Sequence, residues 1–358
     1  MVTVIKSLVG VTLFLISSIQ IAEAGTLLDW LHHSANQAGQ DELRSADNAR
    51  LLTLEPGENE MYPKVSPDDK HLLVVSGKPG KQVFSVRQLE NGDQRYVVGD
   101  YQQLVFDSAT WHGSGEISFL SYRGDGLSLW KKQADDSVVR TLHSRQDGLL
   151  RSPKLLADGS IIAVRLVAKR TGSFSRKNKL SLKAEFNNWN RAGYDTKISH
   201  ISKYGADTML APGLNPSLSP DGKRVVYAMR DGQSYHLFIM NVDGSDLVQL
   251  TDGASVDVQP AWSSDGKWLA FTSNRASISE QHHHKDNWDI WMIGRDGTNL
   301  MRLTKDAAKD GAPTVADNGQ VYFHSDRKVT ADDKAAHQVH KKTTGFHVWM
   351  IVLPAKVS

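Results

Sequence analysis

The sequence contains no cysteine among its 358 residues. This excludes disulfide bonds and a lipid-modified amino-terminal cysteine. The formal net charge is only +2, so composition gives no indication of binding to nucleic acid or to a membrane surface. After the amino terminus, no segment approaches the roughly 20 apolar residues that a membrane-spanning helix needs. We therefore expect no membrane span.

Familiar catalytic motifs are also missing. The sequence has no Gly-x-Ser-x-Gly elbow, no His-Glu-x-x-His pair and no glycine loop of the phosphate-binding type. A serine in His112-Gly113-Ser114-Gly115 aligns with a tight turn of the repeat described below. We therefore predict no catalytic residue.

The amino terminus has the pattern of a secretory signal peptide. Lys6 supplies the positive charge, residues 8–16 the apolar centre, and Ala22-Glu23-Ala24 the small-x-small cleavage site. We expect cleavage near Ala24 and export to the periplasm, since an exported chain without disulfides fits that compartment. Residues 25–47 are expected to form a short helix or a tail.

One stretch of the sequence contains the same pattern twice. The first copy begins Pro-Ser-Leu-Ser-Pro-Asp-Gly-Lys at Pro216, and the second begins Pro-Ala-Trp-Ser-Ser-Asp-Gly-Lys at Pro260, 44 residues later. Short β-branched and aromatic runs between the Asp-Gly turns are typical of antiparallel strands. A period of this length is typical of four-stranded propeller blades.

Alignment of the turns gives six units, and the two ends of the chain complete one another. The units start at Pro63, Ala109, Pro153, Pro216, Pro260 and Pro313. The last unit has a third strand, residues 346–352, but no fourth, whereas residues 50–54 match the fourth-strand endings and precede the first unit. We predict an all-β, six-bladed propeller over residues 48–358, closed by pairing of 50–54 with 346–352.

The repeats resemble the WD40-like Pro-Asp repeats of the TolB-like propeller family. The resemblance rests on Ser-Pro-Asp-Gly-Lys at 219–223, Asp-Gly-Ser at 243–245 and Leu-Thr at 250–251, with counterparts in the fifth unit, and it covers roughly residues 50–353. It implies a propeller and, by similarity, a partner of the kind that TolB propellers bind, the peptidoglycan-associated lipoprotein. TolB proteins also carry an α/β domain ahead of the propeller, and we expect none here.

The predicted blades divide their loops between two faces. Because strands alternate in direction, the first-to-second and third-to-fourth turns share one face, called here the turn face. The second-to-third loops and the inter-blade connections share the other, called the insert face because residues 169–191, 276–288 and 328–345 are long inserts there. Binding residues favour loops on a rigid scaffold, so the insert face is the predicted functional face.

The first insert is strongly basic. Six basic residues precede its first acid, Glu185, and they are Lys169, Arg170, Arg176, Lys177, Lys179 and Lys183. They form either a binding surface for an anionic polymer or an acidic partner, or a solvated loop.

Histidines in the other two inserts are candidate metal ligands, because neutral imidazoles bind zinc, copper or nickel. They are His282, His283, His284, His337 and His340. The other interpretation is a polar surface loop.

Three acids recur three residues before the first-strand proline: Glu60, Asp257 and Asp310. Since first strands line the central channel, these carboxylates are expected either to ring its mouth and attract a cation or basic group, or to cap turns.

Two functional hypotheses remain. The first is a monomeric, periplasmic, non-catalytic module without a cofactor, which binds an envelope protein or an anionic glycan through the insert face. The second is a metal-dependent propeller enzyme, such as a polysaccharide lyase, in which the loop histidines hold a divalent metal.

Overall fold

Six antiparallel sheets of four strands each make up the structure, a computed structural model. It describes residues 47–353 except 79–80, 100–103, 114, 123–126, 136–138, 144–148, 170–183, 190–192, 280–286 and 342. Residues 48–358 form one compact unit, separate from residues 1–47. The predicted signal peptide and residues 25–46 lie outside the described residues.

In the first five blades, four consecutive strands pair in chain order. Blade one contains β2 (Asn59–Val65), β3 (His71–Gly77), β4 (Val83–Gln88) and β5 (Gln94–Val98). Blade two contains β6 (Thr110–His112), β7 (Glu116–Ser121), β8 (Ser128–Gln133) and β9 (Val139–His143). Blade three contains β10 (Leu149–Leu155), β11 (Ile161–Ala168), β12 (Tyr194–Ile201) and β13 (Asp207–Pro212). Blade four contains β14 (Leu214–Leu218), β15 (Arg224–Asp231), β16 (Ser234–Asn241) and β17 (Val248–Gln249). Blade five contains β18 (Asp257–Trp262), β19 (Trp268–Ser273), β20 (Asp289–Gly294) and β21 (Met301–Arg302).

Blade six takes strands from both ends of the chain. Its strands are β22 (Asp310–Val315), β23 (Gln320–Ser325), β24 (His347–Val352) and β1 (Arg50–Leu51). β1 runs antiparallel to β24, with Arg50 opposite Met350 and Leu51 opposite Trp349. The predicted six-bladed propeller and its closure by the amino-terminal strand are therefore confirmed. The closing strand covers an edge of β24 that would otherwise be unpaired.

In the fourth strands that end in Leu-Thr, the threonine hydroxyl bonds to the backbone of the third strand. The hydroxyl oxygen of Thr53 accepts the backbone N–H of Val348 at 3.0 Å, as that of Thr251 accepts the N–H of Leu237 at 2.9 Å. The hydroxyl completes the hydrogen bonding where the ladder ends. The segment at the amino terminus thus plays the same part as the fourth strands within the chain.

Two short helices lie in the inserts. They are α1 (Arg275–Ser279) in blade five and α2 (Ala331–Ala336) in blade six. Thr330 and Asp333 form a reciprocal capping box at the start of α2. No helix in the described part of the chain is long and apolar enough to cross a membrane.

Aromatic side chains join neighbouring blades. Phe84 of blade one and Phe119 of blade two meet edge to face, with ring centroids 5.7 Å apart. The indole N–H of Trp111 donates to the carbonyl oxygen of Lys64 in the preceding blade at 2.7 Å. Tryptophan at this repeated position thus packs and hydrogen-bonds between blades.

A bulge deforms the first strand of five blades. Each ladder shifts register at the blade proline, and the residue before the proline has a φ between 46° and 54°. Proline is tolerated there because a bulge does not need its missing N–H. These residues, which line the central channel, are Tyr62, Ser152, Asn215, Gln259 and Ala312.

Candidate functional site

The central channel is closed on the insert face. Residues 184–189, called here the cap segment, belong to the insert of blade three but contact blades one, five and six. The hydroxyl of Tyr62 donates to the carbonyl oxygen of Glu185, and the amide of Gln259 donates to Asn188 Oδ1 at 3.2 Å. The cap segment therefore crosses the end of the channel.

Phe186 is the centre of this closure. Its ring stacks on Phe346 at 5.6 Å between centroids and meets the edges of His324, Trp189 and Trp288 at 5.3 to 5.7 Å. Neighbouring Gly311 allows this approach, since a Cβ there would lie 2.7 Å from the Phe186 ring. An aromatic cluster thus seals the channel.

His324 is held neutral beneath the cluster. Burial lowers its pKa to about 3, and its Nδ1 accepts the backbone N–H of Tyr62 at 3.1 Å. An unprotonated nitrogen is the form that accepts this hydrogen bond. The imidazole ring of His324 is a structural part of the aromatic cluster around Phe186.

Below the cap segment, the channel widens towards the turn face. An inner cavity of about 60 Å³ lies between the first strands. It leads to a funnel of about 520 Å³, bounded by the first strands of all six blades and by the first-to-second turns of blades one, four, five and six. The turn face, and not the insert face that the sequence predicts to be functional, therefore carries the open end of the channel.

Lys64 and Lys154 line both the inner cavity and the funnel, so they lie at the neck between them. Burial, with a smaller contribution from the charge of Lys154, lowers the pKa of Lys64 to about 7, and burial lowers the pKa of Lys154 to about 8. Both residues follow a blade proline directly. Comparing the six repeats at that position would have revealed them, but the sequence analysis missed them.

The three predicted channel acids are fully buried inside the propeller, and each lies beside an arginine or a histidine side chain. Asp257 pairs with Arg275 and Asp310 with Arg327, each at 2.5 Å, and Glu60 with His347 at 3.0 Å. Each partner lies at the base of a second-to-third loop. The three carboxylates therefore do not form an exposed circle around the mouth of the central channel. Each of them faces a guanidinium or imidazole group at the base of a loop.

A fourth acid, in blade five, is also buried beside a basic side chain. Asp289 is fully buried and lies 3.1 Å from the guanidinium of Arg302. Burial raises its pKa to about 8, although the charge of Arg302 opposes the rise. The carboxylates of these pairs are therefore used within the blades, and they leave the insert face to other side chains.

Only one of the six predicted basic residues is described. Lys169 is exposed and lies 3.5 Å from Asp195. Arg170, Arg176, Lys177, Lys179 and Lys183 lie outside the described residues.

Two of the five candidate metal ligands, His337 and His340, lie among the described residues. His282, His283 and His284 lie outside the described residues. The ring nitrogens of His337 lie 2.9 Å from the carbonyl oxygen of Asp333 and 3.4 Å from that of Leu52. Across the described ranges, no group of three His, Cys, Asp or Glu side chains is arranged to hold a metal ion. His340 therefore has no ligand set around it in that part of the chain.

A groove of about 350 Å³ opens on the insert face between blades three and four. We call it the aromatic groove. It is lined by Lys169, Trp189, Tyr194, Asp195, Thr196, Lys197, Met209, Pro212, Gly213, Arg230 and Tyr235. The insert of blade three, the β15–β16 hairpin and the connection between the blades all contribute to it. It combines three aromatic rings with three basic side chains.

Comparison with known proteins supports the fold. Residues 205–281 match the family model of the TolB beta propeller domain. An uncharacterized protein from Agrobacterium fabrum is 30% identical over 101 residues, which are 28% of this chain and 31% of that protein. This chain therefore spans less than a third of that relative's length.

Two solved structures share the architecture at low sequence identity. TolB from Acinetobacter baumannii has a TM-score of 0.53 and 15% identity, over 72% of this chain and 57% of that chain. A protein assigned as a TolB from Agrobacterium tumefaciens has a TM-score of 0.51 and 16% identity, over 86% and 94% of the two chains. Together with the six blades, these matches show the fold of a β-propeller, and residues 205–281 carry the repeat of the TolB beta propeller domain.

Proposed function

We propose that this chain is a non-catalytic binding module of the periplasm, which holds an envelope protein or an anionic glycan on its insert face. The aromatic groove is the observation that carries this proposal. The amino-terminal signal pattern supports the location. The resemblance to TolB propellers supports a role in binding.

The chemistry of the groove suits an extended anionic chain. Tyr194 and Tyr235 are partly exposed and offer rigid aromatic contact surface beside the buried Trp189, and such residues are common at the centres of protein interfaces. Lys197 and Arg230 add positive charge to the groove and favour an acidic partner over a neutral one. Acidic polypeptides and acidic glycans share this chemistry.

The propeller supplies a rigid frame for the groove. Its walls come from two blades whose strands are fixed by antiparallel pairing. Trp189 is packed against Phe186 and Trp288. Little ordering entropy is therefore lost when a partner docks. Binding by display of a pre-formed surface is the mechanism that this architecture supports.

A double substitution in the groove should weaken retention of the partner. We expect Lys169→Met with Tyr194→Ala to weaken binding roughly tenfold or more, since removal of a contact worth about 1.4 kcal/mol has that effect. The measurement is retention of envelope extract on the immobilised, tag-free mature protein. Pretreating the extract with a protease or with a glycan hydrolase shows which class is bound.

The matched control carries the same two kinds of substitution on the turn face. Lys203→Met with Tyr204→Ala removes an exposed lysine and an exposed tyrosine from the β12–β13 turn of the same blade. This variant should retain the partner as wild type does. Equal retention by the groove variant and the control would refute the proposed binding face.

A further inference from the structure

The funnel on the turn face has the dimensions of a small-molecule site. Its volume of about 520 Å³ falls within the range of about 300 to 1,000 Å³ typical of ligand pockets. Among the described residues, the cap segment covers the far end of the channel, so a ligand enters from the turn face. A small molecule, or the end of a larger one, therefore fits.

The neck of this funnel carries two lysine side chains that no acidic side chain of the described residues pairs with. Over the described residues, the ammonium groups of Lys64 and Lys154 make neither an ion pair nor a hydrogen bond. Asp107 is close enough to influence Lys154, but its carboxylate is bound to Arg151 at 3.2 Å. Partly desolvated ammonium groups without partners are unfavourable for folding.

The other titratable side chains that line the funnel do not neutralise the lysines at the neck. Asp69 and Asp317 lie in the first-to-second turns at the outer rim, and Asp69 accepts the backbone N–H of Asn318 at 3.2 Å. His112 also lines the wall, and burial lowers its pKa. The potential therefore becomes more positive from the rim to the neck, which disfavours a cation and favours an anion.

Two tryptophans form part of the funnel wall. The indole N–H of Trp111 donates to the Lys64 carbonyl oxygen at 2.7 Å, and that of Trp262 donates to the Ser217 carbonyl oxygen at 3.1 Å. Both polar atoms are thus used within the protein. The rings present apolar surface beside the charged neck.

The geometry points to a ligand site in which Lys64 and Lys154 bind the oxyanion of a small carboxylate- or phosphate-bearing molecule, while the indole-lined funnel holds its remainder. Each ammonium group offers up to three donors to the oxyanion, and charge-assisted hydrogen bonds of this kind are strong. This site lies on the face opposite the aromatic groove. It goes beyond the proposed function and does not depend on it.

Thermal unfolding with defined anions tests the site. The full mature chain is titrated with inorganic phosphate and, separately, with citrate, at constant ionic strength set by sodium chloride. We expect a saturable rise in Tm with at least one of them, because a ligand that binds only the folded state stabilises it. A stronger response to phosphate indicates a phosphate ligand, and a stronger response to citrate indicates a carboxylate ligand.

Charge-removing variants make the test specific. Lys64→Met with Lys154→Met should abolish the response, whereas Lys203→Met with Lys223→Met, both exposed on the turn face, should preserve it. Without anions, the neck variant should melt at or above the Tm of wild type, since it loses two partly desolvated charges. A wild type without a saturable response, or a neck variant that keeps the response, would overturn the proposal.

Discussion

Replacing Arg327 with methionine should lower the free energy of unfolding by about 3 to 5 kcal/mol, because one partner of a buried pair is removed while the other stays. Asp310 is fully buried, and Arg327 bonds both of its carboxylate oxygens, at 3.2 and 2.5 Å. Arg327 also lies over the Trp349 ring, on the strand that pairs with β1. Urea unfolding measures the loss.

The loss should depend on pH in a defined direction. Burial already raises the pKa of Asp310, and without the guanidinium it rises further. A folded-state pKa above the ordinary value near 3.9 means that stability is retained at low pH and lost as pH rises through the folded-state pKa. The deficit of Arg327→Met relative to wild type should therefore be largest near pH 8 and smaller near pH 5.

Two further variants control this prediction. Adding Asp310→Asn to Arg327→Met removes the stranded charge and should recover much of the loss. Arg230→Met removes an exposed arginine and should change the free energy of unfolding by less than about 0.5 kcal/mol. If Arg327→Met proved no more harmful than Arg230→Met, the buried pair would not support blade six.

Substituting Phe186 with alanine should cost a similar amount, about 3 to 5 kcal/mol, because large-to-small changes in a packed cluster leave a cavity. Phe186 touches residues from blades five and six and a tryptophan of its own segment. Its loss should also open the channel to the insert face. Urea unfolding gives the energy, and faster amide hydrogen exchange at Gln259 and Ala312 would report the opening.

The control for Phe186 is an aromatic residue without a packing role. Tyr204 is 87% exposed, so Tyr204→Ala should be nearly neutral. A Phe186→Ala variant with wild-type stability and unchanged exchange would show that the cap segment does not close the channel.

The architecture was readable from the sequence because each blade repeats the same local signals. Asp-Gly turns marked the hairpins, and the Leu-Thr ending identified residues 50–54 as a displaced fourth strand. Thr53 indeed accepts a backbone N–H of the third strand, as Thr251 does in blade four. A repeat makes long-range pairing predictable, since each unit contacts its neighbours in the same way.

The site was less predictable because it depends on contacts between blades. The insert of blade three was recognised for its charge, yet Phe186 matters through rings supplied by two other blades. The repeat shows that three acids recur at one position of the first strand, namely Glu60, Asp257 and Asp310. It does not show their partners, Arg275, Arg327 and His347, because these lie at a distance in the sequence. Lys64 and Lys154 come together because the first strands converge on one axis.

Ring closure is the central claim, since it fixes which loops share a face. The chain has no cysteine, so Arg50→Cys with Met350→Cys introduces a single pair at positions that lie opposite one another in β1 and β24. Such positions have Cα atoms about 4.5 to 5.5 Å apart, within reach of a disulfide. Under mild oxidation, mass spectrometry should show rapid intramolecular cross-linking and a raised Tm. A pair that cross-links no faster than Arg50→Cys with Val248→Cys, whose second position lies in blade four, would contradict the closed ring.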